Sequence, residues 1–470
     1  MNIDVCNKCL IIDLTHGGVK IATEISKTQN FKEVYVFDIY NTLSDSDSDL
    51  LNSYNIKILD NLKNLKGNIL IASPIHLPLT NEEIKKEIGN KNNNYFFINH
   101  HEAVKLILKE NPDVKIIEVT GVKAKTSSVF MLNEIFKKQN TLILSSLGAY
   151  LFKNMKKISL KKNISITPAN VLEAINLSEK INNPPCSLEE SDESNYKIAI
   201  FENSLGTCGI GDVGLLTNIV ENYKIANNKK DAKTAKSQVF NCKKVVIEEE
   251  TLSKFYSEEA IKYSNKINTF SLDSSNLKAN LVLKNVEYGL EESKIKVKYN
   301  NDLIQINTFA LGHHHVQNIL GVITTALTLD VSKNDIIEGL SNFKGIEGRS
   351  SIKYLGNNHI IEEINPGINV EAIKLSIAMI DNVNDYYIVI GGRYGITCEE
   401  INEYELAYYL DSLKNYNIIL TDELGKGVLD KMNNKLKFIS NYEDIQNIAI
   451  HDNKNLLFIY RSNYNDLTKR

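Results

Sequence analysis

The sequence predicts an α/β protein made of three α/β domains in series. The first observation is that short apolar segments alternate with helix-like polar segments along most of the 470 residues, which is typical of parallel sheets covered by helices. The second is that a β-branched segment at residues 116–120 runs through a short loop into an amphipathic segment. The third is that the alternation continues into the last third of the chain without an internal repeat.

We place the domain boundaries at residues 112 and 346, which gives domains of residues 1–112, 113–346 and 347–470. Each boundary separates groups of predicted strands. The predicted strands lie at residues 9–14, 34–37, 68–72 and 95–98 in the first domain, at 116–120, 141–145, 197–201, 213–219 and 243–247 in the second, and at 386–390, 417–420 and 456–460 in the third.

The composition excludes several classes of function. A net charge of −4 gives no general attraction to nucleic acid, and no apolar segment approaches the roughly 20 residues of a membrane span. The N-terminal residues lack the pattern of a signal peptide, so we expect a cytoplasmic protein. The pair Cys6 and Cys9 is more typical of two buried thiols beside a first strand than of a zinc site.

The loop at residues 121–126 resembles a phosphate-binding loop that has lost two glycines. The usual pattern, G-x-x-x-x-G-K-[ST], would place glycine at positions 119 and 124, where this chain has Val119 and Ala124. The methyl group of Ala124 is tolerable if that residue adopts a negative φ. The predicted phosphate-binding residues are Gly121, Val122, Lys123, Ala124, Lys125, Thr126 and Ser127.

Polar residues downstream extend this site. Glu202 follows a predicted strand, and the ends of neighbouring parallel strands form one crevice, so its carboxylate can share a magnesium ion with Thr126. Lys236 follows on a predicted helix. Three adjacent histidines at 313–315 point about 100° apart on a helix and cannot close on one ion. Contact of His314 and Asn318 with nucleotide fits their spacing better, since the two residues lie one helical turn apart.

Arginine is scarce, since only four of the 54 basic residues are arginines. Three of them, Arg349, Arg393 and Arg461, follow or end strand-like segments in the last third of the chain. An arginine retained in such a lysine-rich sequence is a candidate for bidentate recognition of an anion. Chance survival on the surface is the alternative for each.

In this order, the motifs resemble those of the Mur ligase family, which includes the peptidoglycan amino-acid ligases and folylpolyglutamate synthase. The motifs are G-x-x-x-K-T after a strand, Glu at the next strand end, T-N-I-x-E-N, A-K, G-x-H-x-x-x-N and F-x-x-x-x-x-R. The resemblance covers residues 113–470 clearly and the first domain by architecture. It implies a central doubly wound sheet of the P-loop ATPase type and a Rossmann-like C-terminal domain that closes over ATP.

The same resemblance implies roles for individual residues, with ATP and Mg²⁺ as cofactors. Lys125 and Thr126 would hold the ATP phosphates and magnesium, and Glu202 would bind magnesium. Lys236 matches a lysine that is often carbamoylated to hold a second magnesium ion, and Arg349, six residues after Phe343, matches an arginine that contacts ATP. Lys125, Glu202, Lys236 and Arg349 are therefore the predicted catalytic residues.

Further positions of the family pattern are matched or altered in this chain. His314 and Asn318 match the pair near adenine and ribose. Tyr223 stands where the family commonly has a histidine, so Glu221 or Asn222 would have to supply that magnesium contact. Glu363, Asn365 and Asn369 lie where the family has an Asp or His-Asn-Pro signature.

Three N-terminal motifs, D-L-T-H-G-G, S-P-I-H-L-P and I-N-H-H-E-A-V, resemble one branch of the family, the Mur-ligase-like coenzyme F-430 synthetases of methanogenic archaea. Each motif follows a predicted strand, where α/β domains bind ligands. The predicted substrate-binding residues are His16, Gly17, Gly18, His76, His100, His101 and Arg393. One histidine approaching nickel axially is a hypothesis, and helix caps or solvated loops are the alternative for the histidines.

The resemblance implies an ATP-dependent ligase that activates a carboxylate of seco-F-430 acid as an acyl phosphate. A carbon of the same nickel tetrapyrrole would then attack and close a carbocyclic ring, giving coenzyme F-430, ADP and phosphate. An amide ligase of the same fold and an ATP-binding regulator without activity remain alternatives. We expect this small-molecule substrate, no nucleic-acid or membrane partner, and a monomer or a homodimer.

Overall fold

A computed structural model of the protein describes residues 5–63, 65–89, 94–182, 195–289, 291–380, 385–395 and 401–462. The chain packs as two compact units. The first unit contains Met1–Lys284, Val297–Ile304 and Asn318–Leu340, and the second contains Asn285–Lys296, Gln305–Gln317 and Ser341–Arg470. The α/β fold class is confirmed, and the boundaries at residues 112 and 346 stay a prediction.

The N-terminal part of the first unit is a parallel five-stranded sheet with helices. Its elements are β1 (Lys8–Ile12), α1 (Gly18–Thr28), β2 (Glu33–Phe37), α2 (Asp45–Ser53), β3 (Lys57–Leu59), β4 (Ile69–Ser73), α3 (Asn81–Ile88), β5 (Tyr95–Asn99) and α4 (His100–Ile107). The strand order is β3-β2-β1-β4-β5, and every pairing is parallel. Because β1 is central and covered on both faces, its apolar residues 10–12 are all fully buried.

The central part is built around a larger sheet. Its elements are β6 (Lys115–Thr120), α5 (Lys125–Phe136), β7 (Thr141–Ser145), β8 (Gly148–Lys153), β9 (Lys156–Lys161), α6 (Pro168–Asn182), β10 (Ile198–Glu202), β11 (Val213–Leu216), β12 (Lys224–Ile225), β13 (Lys230–Asp231), α7 (Ala232–Lys236), β14 (Lys244–Glu248), α8 (Glu249–Phe255), α9 (Ser257–Lys262), β15 (Ile267–Ser271), β16 (Leu281–Glu287), β17 (Ser293–Tyr299), β18 (Asp302–Thr308), α10 (His313–Thr328) and α11 (Lys333–Ser341).

The strand order of the central sheet decides which loops meet. The order is β18-β17-β16-β15-β14-β11-β6-β10-β7-β8-β9, and β6 pairs in parallel with β10 on one side and β11 on the other. The carboxyl ends of these three strands therefore lie side by side at one edge of the sheet. Strands β12 and β13 form a separate two-stranded antiparallel ribbon.

The two sheets of the first unit share a hydrophobic core. Buried residues of β1, α1 and α4 pack in one cluster with buried residues of α6, β7 and β10. Ion pairs reinforce the packing of α1 on α6, since Lys20 Nζ donates to Glu173 Oε2 at 2.6 Å. The N-terminal sheet is thus packed directly against the central sheet.

The second unit contains a six-stranded sheet with helices. Its elements are β19 (Arg349–Leu355), β20 (Asn358–Ile364), α12 (Val370–Ala378), β21 (Tyr386–Gly392), α13 (Glu403–Ser412), β22 (Asn417–Leu420), α14 (Asp422–Leu429), β23 (Lys437–Phe438), α15 (Tyr442–His451) and β24 (Asn455–Arg461). The order is β19-β20-β24-β21-β22-β23, and only β19 is antiparallel to its neighbour. No helix in the described ranges is long and apolar enough to cross a membrane.

The predicted strands match the structure closely in the parallel parts of the sheets. Strands β7 and β22 have the predicted bounds, and the other predicted strands differ by a few residues. The prediction omitted β3, β8, β9, β12, β13, β15–β20 and β23. Some of these strands, such as β9 and β17, alternate polar with apolar residues and expose one face, so they lack the continuous apolar run by which the buried parallel strands were recognised.

Candidate active site in the first unit

The phosphate-binding loop joins β6 to α5, as predicted, although the helix begins at Lys125 rather than at Ser127. Gly121 has φ 141°, and a Cβ atom there would lie 1.9 Å from Thr217 Oγ1, so this position requires glycine. The negative φ under which alanine would be tolerable at position 124 is not found, since the φ of Ala124 is 68°. Ala124 occupies the left-handed conformation that a glycine would adopt more easily, and the loop keeps its shape with some backbone strain.

Side chains at the end of β11 hold the loop in place. Thr217 Oγ1 donates to the Lys123 carbonyl at 2.6 Å, and the Lys123 N–H donates to Asn218 Oδ1 at 3.0 Å. The Val122 N–H also donates to the Asn218 carbonyl, at 3.0 Å. Lys125 folds over the loop, and its Nζ donates to the Gly121 carbonyl at 3.2 Å. Contacts with the end of β11 therefore hold the loop in its conformation, although position 124 lacks the usual glycine.

Oxygen ligands gather beside this loop. Thr126 Oγ1 donates to Glu202 Oε1 at 3.0 Å, and Ser146 Oγ lies 3.0 Å from Thr126 Oγ1. The Ser146 N–H donates to Glu202 Oε2 at 3.0 Å, and Glu202 is buried. Hydroxyl and carboxylate oxygens are the ligands that Mg²⁺ prefers. The structure thus brings together the predicted pair Thr126 and Glu202, and the residues fit a hard divalent cation.

Lys236 lies at the end of α7 and is fully buried. Its Nζ donates to the Ser204 carbonyl at 2.8 Å and lies 5.8 Å from the centre of the Tyr223 ring. Tyr223, at the position where the family commonly has histidine, therefore packs against this lysine.

The two residues proposed to replace that histidine differ in their chemistry. Asn222 caps α7, because its Nδ2 donates to Asp231 Oδ2 at 3.1 Å and its Oδ1 accepts from the Lys233 N–H at 2.8 Å. Glu221 offers a carboxylate, which is the kind of ligand that Mg²⁺ prefers.

The predicted N-terminal histidines converge with one carboxylate at the ends of β1, β4 and β5. This histidine cluster consists of Asp13, His16, His76, His100 and His101. The cluster forms because β1, β4 and β5 are adjacent parallel strands, whose carboxyl ends meet at one edge of the sheet.

Asp13 is the centre of the cluster. It is fully buried, its φ is 70°, and its Oδ1 accepts from the Thr15 N–H at 2.9 Å. Its Oδ2 accepts from His16 Nδ1 at 2.7 Å and lies 3.8 Å from His76 Nε2. The His16 and His76 rings meet edge to face, with centroids 4.4 Å apart. Facing ligand atoms of these three side chains lie within 4.8 Å of one another.

His100 and His101 form the deeper part of the cluster. His100 Nε2 lies 3.1 Å from the Ile12 carbonyl and donates to it, while neither ring nitrogen of His101 has a hydrogen-bond partner among the described residues. Burial lowers the pKa of His100 to about 3, against a raising effect of Asp13. Burial also lowers the pKa of His101 to about 3, and the charges of His76 and Lys236 lower it further. Both rings are neutral at pH 7.

The histidine cluster lies next to the central part of the same unit. Lys236 is close enough to His101 to lower the pKa of that imidazole. Lys230 Nζ donates to the Ile75 carbonyl at 3.0 Å, and its charge lowers the pKa of His76, although burial is the larger cause. Lysines of β13 and α7 therefore border the predicted substrate residues.

Two glycines permit the tight turn between β1 and α1. Gly17 has φ 91°, and a Cβ atom there would lie 2.4 Å from the Ala169 Cβ of α6. A Cβ atom at Gly18 would lie 2.1 Å from the Asp13 carbonyl oxygen. The predicted residues Gly17 and Gly18 thus shape the turn that presents Asp13 and His16, and Gly17 also permits close packing on α6.

The predicted nucleotide pair on α10 is divided between the units. Asn318 belongs to the first unit and is buried, and its Oδ1 has no hydrogen-bond partner among the described residues. His314 belongs to the second unit, and burial, with a smaller effect of His313, lowers its pKa to about 4. Ligand atoms of His314, His315 and Glu363 lie within 4.8 Å of one another. Two of the three adjacent histidines, His314 and His315, thus meet a carboxylate.

The second unit also holds the three arginines. Arg349 is the first residue of β19 and is half-buried, with Phe343 buried a few residues earlier. Arg461 is almost fully buried, and its Nη1 donates to the Arg393 carbonyl at 3.4 Å. The Arg393 N–H donates in turn to the Arg461 carbonyl at 3.0 Å. Arg461 is therefore placed as a structural partner of the segment that carries Arg393.

Several residues of the site were not singled out from the sequence. Ser146, Thr217 and Asn218 each follow a strand of the central sheet, and Asp13 follows β1. Their shared pattern is a small polar residue directly after an apolar strand, and it could have identified them. Glu118 could not have been found in this way, because it lies within β6.

Comparisons with known proteins agree with this architecture. The family model described as "Coenzyme F430 synthetase CfbE, C-terminal domain" matches residues 352–463. Coenzyme F(430) synthetase of Methanocaldococcus jannaschii is 30% identical over 458 residues, covering 93% of this chain and 95% of the relative. Coenzyme F(430) synthetase of Methanosarcina acetivorans is 27% identical over 453 residues, covering 88% of this chain and 90% of the relative.

Solved structures with the same fold are Mur ligases. MurF from Acinetobacter baumannii aligns with a TM-score of 0.58 at 16% identity, covering 88% of this chain and 93% of that one. MurF from Thermotoga maritima in complex with ADP aligns with a TM-score of 0.54 at 15% identity, covering 86% and 93%. These likenesses confirm the Mur ligase fold, and the sequence relationship over nearly the whole chain goes further. The chain belongs to the coenzyme F(430) synthetase family, a branch of the Mur-ligase-like proteins.

Proposed function

We propose that this protein is an ATP-dependent ligase that closes a carbocyclic ring of a nickel tetrapyrrole. It activates the propionate-derived carboxylate of seco-F-430 acid as an acyl phosphate and joins that carbonyl carbon to a ring carbon of the same molecule. The products are coenzyme F-430, ADP and phosphate. The observation that carries the proposal is the position of the histidine cluster beside β13, where Lys230 Nζ donates to the Ile75 carbonyl next to His76, in the same compact unit as the phosphate-binding loop.

The phosphate side of the site has the groups that carboxylate phosphorylation needs. Lys125 supplies a cation above the loop, where it neutralises charge on the transferring phosphoryl group. Magnesium held by Thr126 and Glu202 would neutralise further phosphate charge, with Glu221 or a carbamoylated Lys236 as ligands for a second ion. Arg349 of the second unit is the proposed ATP-contacting arginine, and His314 and Asn318 are the proposed adenosine contacts.

The histidine cluster is the proposed tetrapyrrole side. The imidazoles of His100 and His101 are neutral hydrogen-bonding groups at the carboxyl ends of adjacent parallel strands, which suits a large, mostly apolar macrocycle with polar substituents. Lys230 borders the cluster and supplies positive charge toward carboxylate groups of the substrate. Arg393 is the proposed substrate contact of the second unit.

The reaction itself balances without a further reactant. The carboxylate oxygen attacks the γ-phosphorus of ATP and ADP leaves, and the acyl phosphate then loses phosphate as the carbon–carbon bond forms. The attacking carbon releases one proton in the second step. Because nucleophile and electrophile belong to one molecule, positioning alone can supply about 7–11 kcal/mol of barrier lowering.

The test is an anaerobic incubation of the purified protein with Mg-ATP and seco-F-430 acid, followed by absorbance and mass. We expect the tetrapyrrole to lose the mass of one water, with one ADP released per product. An unchanged tetrapyrrole, with ADP formed only when an amine is supplied, would instead assign the amide-ligase alternative. Tight ATP binding with no ADP under either condition would assign the regulator.

A further inference from the structure

We propose that His16 is the proton acceptor for the ring-closing step and that Asp13 is the residue that positions it. The inference rests on the proposed function, since only carbon–carbon bond formation requires a carbon-bound proton to leave. When the ring carbon attacks the acyl phosphate, its C–H electron pair returns to the macrocycle and the proton must pass to a base. Phosphoryl transfer to a carboxylate has no such requirement.

The geometry of the pair is that of an oriented imidazole base. Asp13 Oδ2 accepts a hydrogen bond from His16 Nδ1 at 2.7 Å, which fixes the tautomer and leaves Nε2 as the basic nitrogen. Asp13 is fully buried, and it stabilises the imidazolium that forms once the proton is taken up. The His16 side chain is 41% exposed, so the imidazole can be reached from outside the protein.

The other three histidines of the cluster are less suited to this role. His100 donates its Nε2 hydrogen to the Ile12 carbonyl within the fold, and His101 has no carboxylate to orient it among the described residues. His76 lies 3.8 Å from Asp13 Oδ2, beyond hydrogen-bond distance. Of the four imidazoles, only His16 combines an acceptor on one nitrogen with an exposed edge.

The backbone is built to hold this pair. Asp13 adopts φ 70°, a strained conformation for a residue other than glycine. This conformation directs its carboxylate into the turn, where the Thr15 N–H fixes Oδ1 at 2.9 Å and His16 takes Oδ2. Gly18 permits the close return of the chain, because a side chain there would collide with the Asp13 carbonyl.

The groups that face His16 set the conditions of the test. Tyr40 from the turn after β2 and His76 from the turn after β4 lie against its ring, with centroids 6.2 Å and 4.4 Å away. His100 from α4 interacts with the Asp13 charge, and Lys230 from β13 interacts with His76. The pH profile of the wild-type protein therefore includes these groups, and a comparison of variants isolates the contribution of His16.

The experiment compares wild type, His16→Gln and Asp13→Asn in the seco-F-430 acid reaction with Mg-ATP. Ring closure is followed by mass, ADP release is followed in parallel, and hydroxylamine traps acyl phosphate as a hydroxamate. We expect His16→Gln to slow closure about 10²–10⁴-fold while ADP and hydroxamate still form. Asparagine tolerates the left-handed conformation of residue 13, so Asp13→Asn keeps the turn and should slow closure by at least about tenfold.

A control and an isotope measurement separate chemistry from structure. His451→Gln removes another histidine with an aspartate partner, an exposed pair in the second unit, and should leave closure unchanged. Deuterium at the reacting carbon should give a larger kinetic isotope effect on closure in His16→Gln than in wild type. The rate of ring closure by His16→Gln should also rise steadily with pH, because hydroxide then accepts the proton in place of the imidazole.

Other outcomes would overturn the inference. Unchanged closure in His16→Gln, or a parallel loss of closure and ADP release, would exclude a base specific to the second step. A divalent metal bound stoichiometrically by wild type and lost from His16→Gln would assign Asp13, His16 and His76 to a metal site instead. Failure of the wild-type protein to close the ring would refute the proposed function itself.

Discussion

The two strand–turn–helix segments of the first unit, β1 to α1 and β6 to α5, share a backbone design and differ in their side chains. Each has a glycine and one other residue in the left-handed region, Gly17 with Asp13 in the first and Gly121 with Ala124 in the second. Each helix starts without a side-chain cap hydrogen bond, which leaves backbone N–H groups available to a ligand.

The side chains around the two turns give them different chemistry. Lysine, threonine and a buried carboxylate border the β6 turn, which suits phosphate and a hard cation. Imidazoles and Asp13 border the β1 turn, which suits an organic ligand and proton transfer. The turn therefore fixes where a ligand can approach, whereas three or four side chains decide which ligand binds and which reaction takes place.

The largest expected effect comes from a side-chain substitution at the β6 turn alone. Lys125→Ala removes the cation above the phosphates, and we expect ATP-dependent turnover to fall about 10³-fold, equivalent to about 4 kcal/mol of transition-state stabilisation. The measurement is ADP release with saturating substrate. Binding of the tetrapyrrole, followed by absorbance, should be unchanged because the histidine cluster is intact.

Lys138→Ala is the matched control for this change. Lys138 is an exposed lysine paired with Glu338 in the same unit, and its loss should leave turnover within about twofold of wild type. Full activity in Lys125→Ala would show that the altered loop does not bind the transferring phosphate.

The next largest expected effect is a pH dependence of the free energy of unfolding, which comes from the histidine cluster and not from the β6 turn. His100 and His101 have a pKa of about 3 in the folded protein against 6.5 as the ordinary value, so the unfolded chain binds more protons below pH 6.5. Stability is therefore full above that value and falls as the pH decreases toward 3. Between about pH 7.5 and about pH 5.5 each histidine lowers the free energy of unfolding by about 1.4 kcal/mol, measurable by urea denaturation.

Variants test this assignment directly. His100→Gln combined with His101→Gln should remove about 2.7 kcal/mol of that pH dependence. His451 is 88% exposed, and His451→Gln should leave the dependence as in wild type. An equal pH dependence in all three proteins would show that the cluster does not stay neutral on folding.

The smallest expected effect restores the β6 turn toward the usual loop pattern. Ala124 has φ 68°, and Ala124→Gly relieves the left-handed strain, so we expect the free energy of unfolding to rise by about 0.5–1 kcal/mol. Thermal unfolding monitored by circular dichroism is the measurement. The gain is less than the full strain because glycine has more freedom in the unfolded chain.

Gly121→Ala is the opposite change in the same loop. A methyl group at this position would meet Thr217 Oγ1 at 1.9 Å, and its φ is 141°, so the variant should be destabilised and should bind ATP weakly. Destabilisation by Ala124→Gly would show that the methyl group of Ala124 makes a compensating contact.

Much of this architecture could be predicted from the sequence. The buried parallel strands are apolar runs between polar segments, and their ends bring Thr126 and Glu202 together as expected. The histidines after β1 and β4 were expected to be near a ligand, and the structure brings His16 and His76 together with one carboxylate, Asp13. Local pattern and the rule about strand ends were sufficient to place these side chains together, and their roles stay predictions.

What could not be predicted depends on strand order and backbone conformation. The contact of Thr217 with the phosphate loop exists because β11 is the neighbour of β6, and sequence distance gives no hint of that pairing. The left-handed conformation of Ala124 was unexpected because an alanine ordinarily avoids it. Asp13 was passed over among more conspicuous histidines, although it is the residue that joins His16 and His76.

Glu118 anchors the segment that follows Glu202, and this affects ligand binding. This fully buried carboxylate on β6 accepts hydrogen bonds from the N–H groups of Cys208, Ile210 and Gly211 at 2.6–2.9 Å, and the Asn203 amide also donates to it. Burial raises the pKa of Glu118, and the backbone N–H groups act in the opposite direction. The segment that follows Glu202 is therefore fastened to the strand that carries the phosphate loop.

Because this segment is already ordered in the folded protein, its conformational entropy is lost when the protein folds and not when the ligand binds. Immobilising one flexible side chain at a binding site costs about 0.5–1.5 kcal/mol, and a site that is already rigid avoids that penalty. In the described contacts Glu118 touches no residue of the phosphate-binding loop, so it would affect nucleotide affinity by keeping the segment after Glu202 rigid.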